Sequence, residues 1–508
     1  MRYCLKIIIG CMITAAGIHC DKSSDDQSRA DSVSMSFERI GTADYSPFKV
    51  TVAATDSSGV KVSGLDVRIT SSRGDVTPVA DNGDGTYAST VTPAGTEKSG
   101  EYVITGTVES WNSAVVRTAL VLKTVHPALG QPMAVPGGYV NTAGWEDSIN
   151  ITPDGEWLFL MYSPMSISGV FLGDPNHEWA RTAAGPWNSP ERPGFPDGRI
   201  DIDGNISHIF PLWCDFTEDT VVQPVTMYCF HRQGDGSFAE PVKVGSYDVT
   251  YDNPMLEFGL HAVMVNDGTA RIAYSYTDPL LENGRHLLIY TADIMPGGDS
   301  VLGEYYKDGS MACPAFAKKN VRFQMVPLEP VDDADVHLFD PHLSTDAGGN
   351  ITSIWVWKEN IDNDELSRNI YVYTLKEGKS FPGSGSGDWD RIELPSPVNA
   401  GDSVEMQPHF TGSYVYFYRN GTIARSKYNG GAYGTASSWE PVEVMIEPGA
   451  EEESVLGQTN VVGEPTLCAQ GGKTYLFFVY DVVAGYDGTL PAGKRQNINF
   501  NAGLVEFR

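Results

Sequence analysis

The stretch GWEDSINITPDGEWLFLMYSP, residues 144–164, decides the fold. An acidic pair, Glu146 and Asp147, opens a short alternating segment. The dipeptide Asp154-Gly155 after Pro153 marks a tight turn, and an aromatic-rich strand follows. The same phrase returns along the chain. Gly204–Trp213 (GNISHIFPLW) with VTMYCFHR gives a second copy, EFGLHAVMVNDGTARIAYSY from Glu257 a third, and DPHLSTDAGGNITSIWVWKE from Asp340 a fourth. EMQPHFTGSYVYFYRNGTIARSKYNG from Glu405 is the fifth and GEPTLCAQGGKTYLFFVYD from Gly463 the sixth. A four-strand unit repeated at this spacing cannot bury both faces alone, so the copies must pack around an axis as the blades of a β-propeller. The sixth copy lacks a fourth strand. LGQPMAVPGG before the first copy supplies one at residues 129–136, which closes the ring. The count is six blades over residues 126–508.

The chain has 508 residues, 35 basic and 65 acidic side chains and a formal charge of −30. This length predicts more than one domain. The charge, with no basic run, sets nucleic acid aside as a partner. Residues 1–20 combine Arg2 and Lys6 with an apolar run and end at Cys20. They resemble a bacterial lipoprotein signal with Cys20 as the lipidation site. Membrane contact is then expected through the lipid anchor alone, at the bacterial outer membrane on its periplasmic or cell-surface side. Residues 21–36, beginning DKSSDDQSRADS, read as an acidic tether.

Residues 37–125 change to short alternating strands with turn signals between them, the pattern of a β-sandwich. DNGDGTYASTVTP followed by SGEYVITGTV resembles bacterial Ig-like and filamin-like modules. Gly83 and Gly85 are expected in a turn, and Tyr87 and Tyr102 in the core. The resemblance implies a spacer. Together the two parts make an all-β chain, a sandwich followed by a propeller.

ITPDGEWLFLMYS, DPHLSTDAGGN and EMQPHFTGSYVYFYRN resemble the TolB-type, WD-like repeat of bacterial envelope proteins, which serves scaffolds, sensors and enzymes alike. Aligning the copies places Glu146/Asp147, Glu257, Asp340, Glu405 and Glu464 around one mouth of the channel. Such a ring suits a cation or acid–base work on a sugar, and equally suits structural bonds between blades. Asp147, Asp340 and Glu405 are the candidate catalytic set, on the pattern of an arabinanase-type glycosidase with carboxylates on separate blades.

His208, His261, His342 and His409 fall at equivalent positions and are candidate metal ligands, as a propeller lyase would require. The preferred expectation is no cofactor, with a divalent metal ion as the alternative. Trp145, Trp179 and Trp187 are candidates for stacking on a ligand. IWVWKE and YVYFYRN place most other aromatics between blades. Cys214 and Cys229 are placed in one hairpin, either bridged or as separate buried thiols. No GxSxG, HExxH or Walker pattern occurs. Without a complete catalytic set, the expectation is a non-catalytic module binding a glycan, peptide or envelope protein. A polysaccharide lyase or glycoside hydrolase working at the channel mouth is the rival.

Overall fold

The structure is a computed structural model that describes residues 30–95, 98–137, 140–141, 145–163, 226–239, 242–243, 257–264, 269–277, 287–294, 324–330, 337–362, 365–449, 459–483 and 498–508. Among these residues every regular element is a strand or a short 3₁₀ turn.

Two sheets form the N-terminal sandwich. In the first, Ala30–Arg39 pairs with Phe48–Asp56, which pairs with Thr86–Thr92. The second holds Val67–Ser71, Gly100–Val108 and Ser113–Val121. Alternation in FKVTVAATD turns Phe48, Val50, Val52 and Ala54 inward, as a strand with one buried face requires. Tyr87 and Tyr102 are buried in the same core. Gly83 and Gly85 take positive φ in the turn before Thr86. The first strand begins at Ala30, within the segment whose composition reads as tether.

Among the described residues the propeller has five blades. Blade one is Trp145–Ile151, Trp157–Ser163, Thr226–His231 and Val242–Lys243; blade two is Glu257–Met264, Ala270–Thr277, Leu287–Ile294 and Gln324–Met325. Blade three is His337–Thr345, Ile351–Asp362, Glu365–Leu375 and Trp389–Glu393. Blade four is Glu405–Phe410, Tyr414–Arg419, Thr422–Lys427 and Glu443–Glu447. Val462–Gln470, Lys473–Val483 and Ile498–Glu506 make blade five, and Met133–Ala134 completes it by pairing with Gly503 and Leu504. The closing strand therefore lies in the 129–136 segment expected from the sequence. Each innermost strand packs on the next, and that of blade five returns to that of blade one.

Five replaces the six counted from the repeats. VTMYCFHR pairs with Trp157–Tyr162 and is the third strand of blade one, so the first two copies belong to one blade. Gly204–Trp213 lies outside the described residues.

Sandwich and propeller share both sheet and core. Met133 pairs with Ala119 on one side and Leu504 on the other, so the second sandwich sheet runs unbroken into blade five. Thr124–Val125 adds a fifth strand to blade four. Leu120, Leu122, Val125 and Leu129 pack with Tyr416, Met445, Phe478 and Val505. The buried Arg39 guanidinium donates to the carbonyls of Val125, His126 and Leu129 at 2.5, 3.1 and 3.0 Å. Burial, and then the nearby Arg508, lower its pKa to about 10. Between blades three and four, Trp355 stacks on Phe410 with centroids 4.3 Å apart, which fulfils the expectation for IWVWKE. Losing such a ring costs about 3–5 kcal/mol.

Candidate functional site

Every innermost strand carries the same irregularity. Asp147 pairs with Met161 and Asn150 with Phe159, so one extra residue stands on the inner strand. Equivalent shifts fall at Phe258/His261, Phe339/His342, Met406/His409 and Gly463/Thr466. These are β-bulges, which re-aim side chains at barrel and propeller rims. The residue in the left-handed region is Ser148, Gly259, Asp340, Gln407 or Glu464, with φ of 53°, 56°, 47°, 54° and 53°. Four of these are not glycine, a conformation that costs about 1–2 kcal/mol each. Strain repeated at one level of a ring is a mark of a site.

An open pocket of about 320 Å³ on the axis is lined by these bulges and the residues after them. Its upper layer is acidic. The Glu464 carboxyl hydrogen-bonds with Asp147, and accepts the Ile149 N–H on Oε2 at 2.8 Å and Gln407 Nε2–H on Oε1 at 3.3 Å. Burial, then the charges of Asp147 and Asp340, hold it well above the usual glutamate range. Asp340 accepts Trp357 Nε1–H on Oδ2 at 2.6 Å, and its backbone N–H donates to Ser275 Oγ at 3.1 Å. Its carboxyl is also pushed up, chiefly by burial, with the Asp147 charge adding and the Trp357 bond opposing. Asp147 accepts the Ser148 N–H at 3.0 Å. Carboxylates from blades one, three and five thus act on one another at one mouth.

Two expected members of the set stand here and the third does not. Glu405 lies two residues before the bulge residue of its strand and is fully buried, held by Arg419 Nε at 2.9 Å and by the Ser403 hydroxyl. Its partners lie on its own blade and the segment leading into it, and burial raises its pKa. Glu464 takes the place expected for it. A fully buried Glu146 occupies the matching position on blade one.

One step deeper, Asn150, His261, His342, His409 and Thr466 form a second layer. Nitrogens of the three imidazoles lie within 4.8 Å of one another. Burial depresses all three pKa values, that of His342 to about 3, so the rings are neutral. Their bonds do not suit a three-histidine metal site. His261 Nδ1 accepts the Leu343 N–H at 3.1 Å, which puts the ring's one proton on Nε2 and leaves no free lone pair. His342 Nε2–H donates to the Phe410 carbonyl at 2.9 Å, leaving Nδ1 as its open nitrogen. The same blade-to-blade pattern continues where Ala262 N–H donates to Asn150 Oδ1 at 3.0 Å and Asn150 Nδ2–H to Thr466 Oγ1 at 3.1 Å. The layer ties blade to blade.

His208, Trp179, Trp187, Cys20 and Cys214 lie outside the described residues. Trp145 opens the inner strand of blade one. Cys229 is buried in the third strand of that blade.

No family model matches the chain, and no curated protein sequence matches it. Solved structures do. An α-L-arabinofuranosidase from Lactobacillus brevis matches with 9% identity and a TM-score of 0.36 over 72% of this chain and 92% of that one. An α-L-arabinanase from Cellvibrio cellulosa matches with 12% identity and 0.31 over 70% and 91%. A family 117 glycoside hydrolase from Zobellia galactanivorans matches with 7% and 0.33 over 72% and 85%. The expectations of a non-catalytic module, and of a chain more a binder than an enzyme, are corrected here. Carboxyl groups from blades one, three and five interact at the channel mouth, two of them pushed up by burial and by the Asp147 charge.

Proposed function

We propose that the protein is a glycoside hydrolase whose site is the acidic mouth of the propeller. One observation carries this reading: Asp340 and Glu464 line one pocket from two blades, Asp147 acts on both, and Glu464 keeps its proton into the range where other carboxyls have lost theirs. A carboxyl held protonated beside an ionised one is the division of labour that glycoside cleavage needs.

Glu464 is the proton donor to the glycosidic oxygen. For direct displacement by water, the opposing carboxylate must stand roughly 6.5–9.5 Å from the donor to leave room for that water. Asp147 is in hydrogen-bond contact with Glu464 and is too close for that part. Asp340, on a non-adjacent blade, takes it. The C–O bond breaks as the leaving group receives the Glu464 proton, a water adds to the sugar carbon, and Asp340 accepts the proton that water gives up. Asp147 holds the donor proton in place through its charge and its hydrogen bond. The bonds of His261 favour hydrolysis over the metal-dependent lyase.

The finer parts of the reading concern where the enzyme works. The signal-like residues 1–20 and Cys20 support a lipid-anchored envelope protein, on the periplasmic or outer face. The two-sheet sandwich supports the Ig-like assignment, and the blade repeats carry the TolB-type resemblance. A glycan is the partner.

The test is reducing-sugar release from a panel of neutral and acidic polysaccharides by the mature protein beside Glu464→Gln. Release by the wild type that the variant lacks supports the assignment. Equal release by both, or none from any polysaccharide, overturns it.

A further inference from the structure

Next to Asp340 stands an aromatic stack that the proton transfers do not use. Phe339 lies parallel on Trp357, centroids 4.0 Å apart and 7° between planes. They are direct cross-strand partners in blade three. Trp357 is buried, whereas Phe339, one residue before the bulge, is half-buried. The Arg368 guanidinium lies over the Trp357 ring, 5.7 Å from its centroid, and reaches the Met406 sulfur at 3.8 Å. These contacts brace the inner ring and leave part of the outer one open. Trp357 is also the residue whose indole N–H grips Asp340. The stack therefore joins an open apolar ring to the carboxylate assigned as base.

We infer that Phe339 is the sugar-stacking platform of the site, and that the sugar it takes is neutral. A sugar ring presents an apolar C–H face and a polar rim. A rigid half-exposed phenyl fixed from behind receives that face with little entropy lost. A ring set on Phe339 lies beside Asp340, with its polar edge toward the carboxylates. Asp340 and Glu464 turn acceptor oxygens into the pocket and Asp147 adds its charge beside them, so a uronate or sulfate there meets like charge. The platform deepens the hydrolase reading and rests on it for its place in turnover; sugar binding itself can be measured without turnover.

Two variants separate the two faces of the stack. Phe339→Ala removes the platform and keeps the Trp357 N–H. Trp357→Phe keeps a stacked ring and removes the donor to Asp340. Binding is followed by intrinsic fluorescence with arabino-, xylo- and gluco-oligosaccharides, and with oligogalacturonate as the acidic probe. It is measured in the Glu464→Gln background, where no turnover interferes. Phe339→Ala should weaken binding of a neutral probe about three- to tenfold, with Trp357→Phe close to its parent. In the active protein, Phe339→Ala should raise KM with kcat nearly unchanged, while Trp357→Phe should lower kcat and move the pH profile. Unchanged neutral-sugar binding in Phe339→Ala, or binding of oligogalacturonate alone, overturns the platform. Binding that depends on Phe339 in a protein that hydrolyses nothing keeps the platform and removes the hydrolase.

Discussion

The carboxylate of Asp340 occupies the space that a Cβ on Gly259 would need. Blade two is the one blade whose bulge residue is glycine, and the side chain of the neighbouring blade lies across it. Gly259 also holds φ 56° and donates its N–H to Ser148 Oγ at 2.8 Å. Gly259→Ala should therefore displace Asp340 while adding about 1–2 kcal/mol of left-handed strain. Since misplacing a reacting group by roughly 1 Å costs about 10²-fold, activity should fall by that order with a modest drop in Tm. Activity kept at the wild-type level would mean that Asp340 has no part in turnover.

Glu464 gives a pH signature with a fixed sign. Its carboxyl is raised in the folded state, so proton binding favours folding. That contribution is whole below the unfolded carboxyl value and is lost as pH rises through the folded one. Glu464→Gln should raise thermal stability more at pH 8 than at pH 5, while abolishing turnover at both. In the wild type the rate should fall on the alkaline side as the donor proton leaves. Melting curves and rate profiles over the same buffers test both.

A second buried acid lies away from the site. Asp481 accepts the backbone N–H groups of Asn460 and Val461 at 2.5 and 2.8 Å and Asn460 Nδ2–H at 3.1 Å. Burial still outweighs these bonds and lifts its pKa to about 6. The same sign applies: its contribution is full below about 4 and lost as pH passes 6. Asp481→Asn should gain about 1.4 kcal/mol relative to wild type between pH 5 and pH 8. A pH-independent difference would show that the charge is accommodated.

Arg39 tests the junction. Arg39→Met removes the side-chain donor to the carbonyls of Val125, His126 and Leu129, of which that of His126 keeps the Leu129 N–H, and should cost about 2–3 kcal/mol. Because the same sheet and core run through sandwich and propeller, calorimetry should show both parts losing stability together. Loss confined to a separate sandwich transition would contradict a shared cooperative unit.

Much of the fold was legible because blade repeats keep their turn chemistry and alternation. Residues 129–136 could be assigned to the last blade because that copy was one strand short. The blade count was not legible: WLFLMYS and VTMYCFHR pair across a long intervening segment, and each reads locally as a new blade. At the site, His261, His342 and His409 aligned correctly, since each follows the bulge residue by two. Glu405 and Glu464 were both aligned in the acidic ring, yet Glu464 is itself a bulge residue and Glu405 stands two before one. The usable signal was proline: Asp340-Pro341, Gln407-Pro408 and Glu464-Pro465 align the bulge residues, and that alignment sets Glu405 apart. The Phe339–Trp357 stack could not be read, because IWVWKE fixes only that its tryptophans share a face and not what lies opposite.

The strand Met133–Ala134 also sets an order for synthesis. It leaves the ribosome before any blade exists, and its partner Gly503–Leu504 follows only after the strands of the other four blades. Until then its free side is an open sheet edge, extended on the other side by the finished sandwich through Ala119. An edge of that kind recruits other strands. A nascent chain thus displays a ready template for mispairing until the strand Ile498–Glu506 is made and covers it.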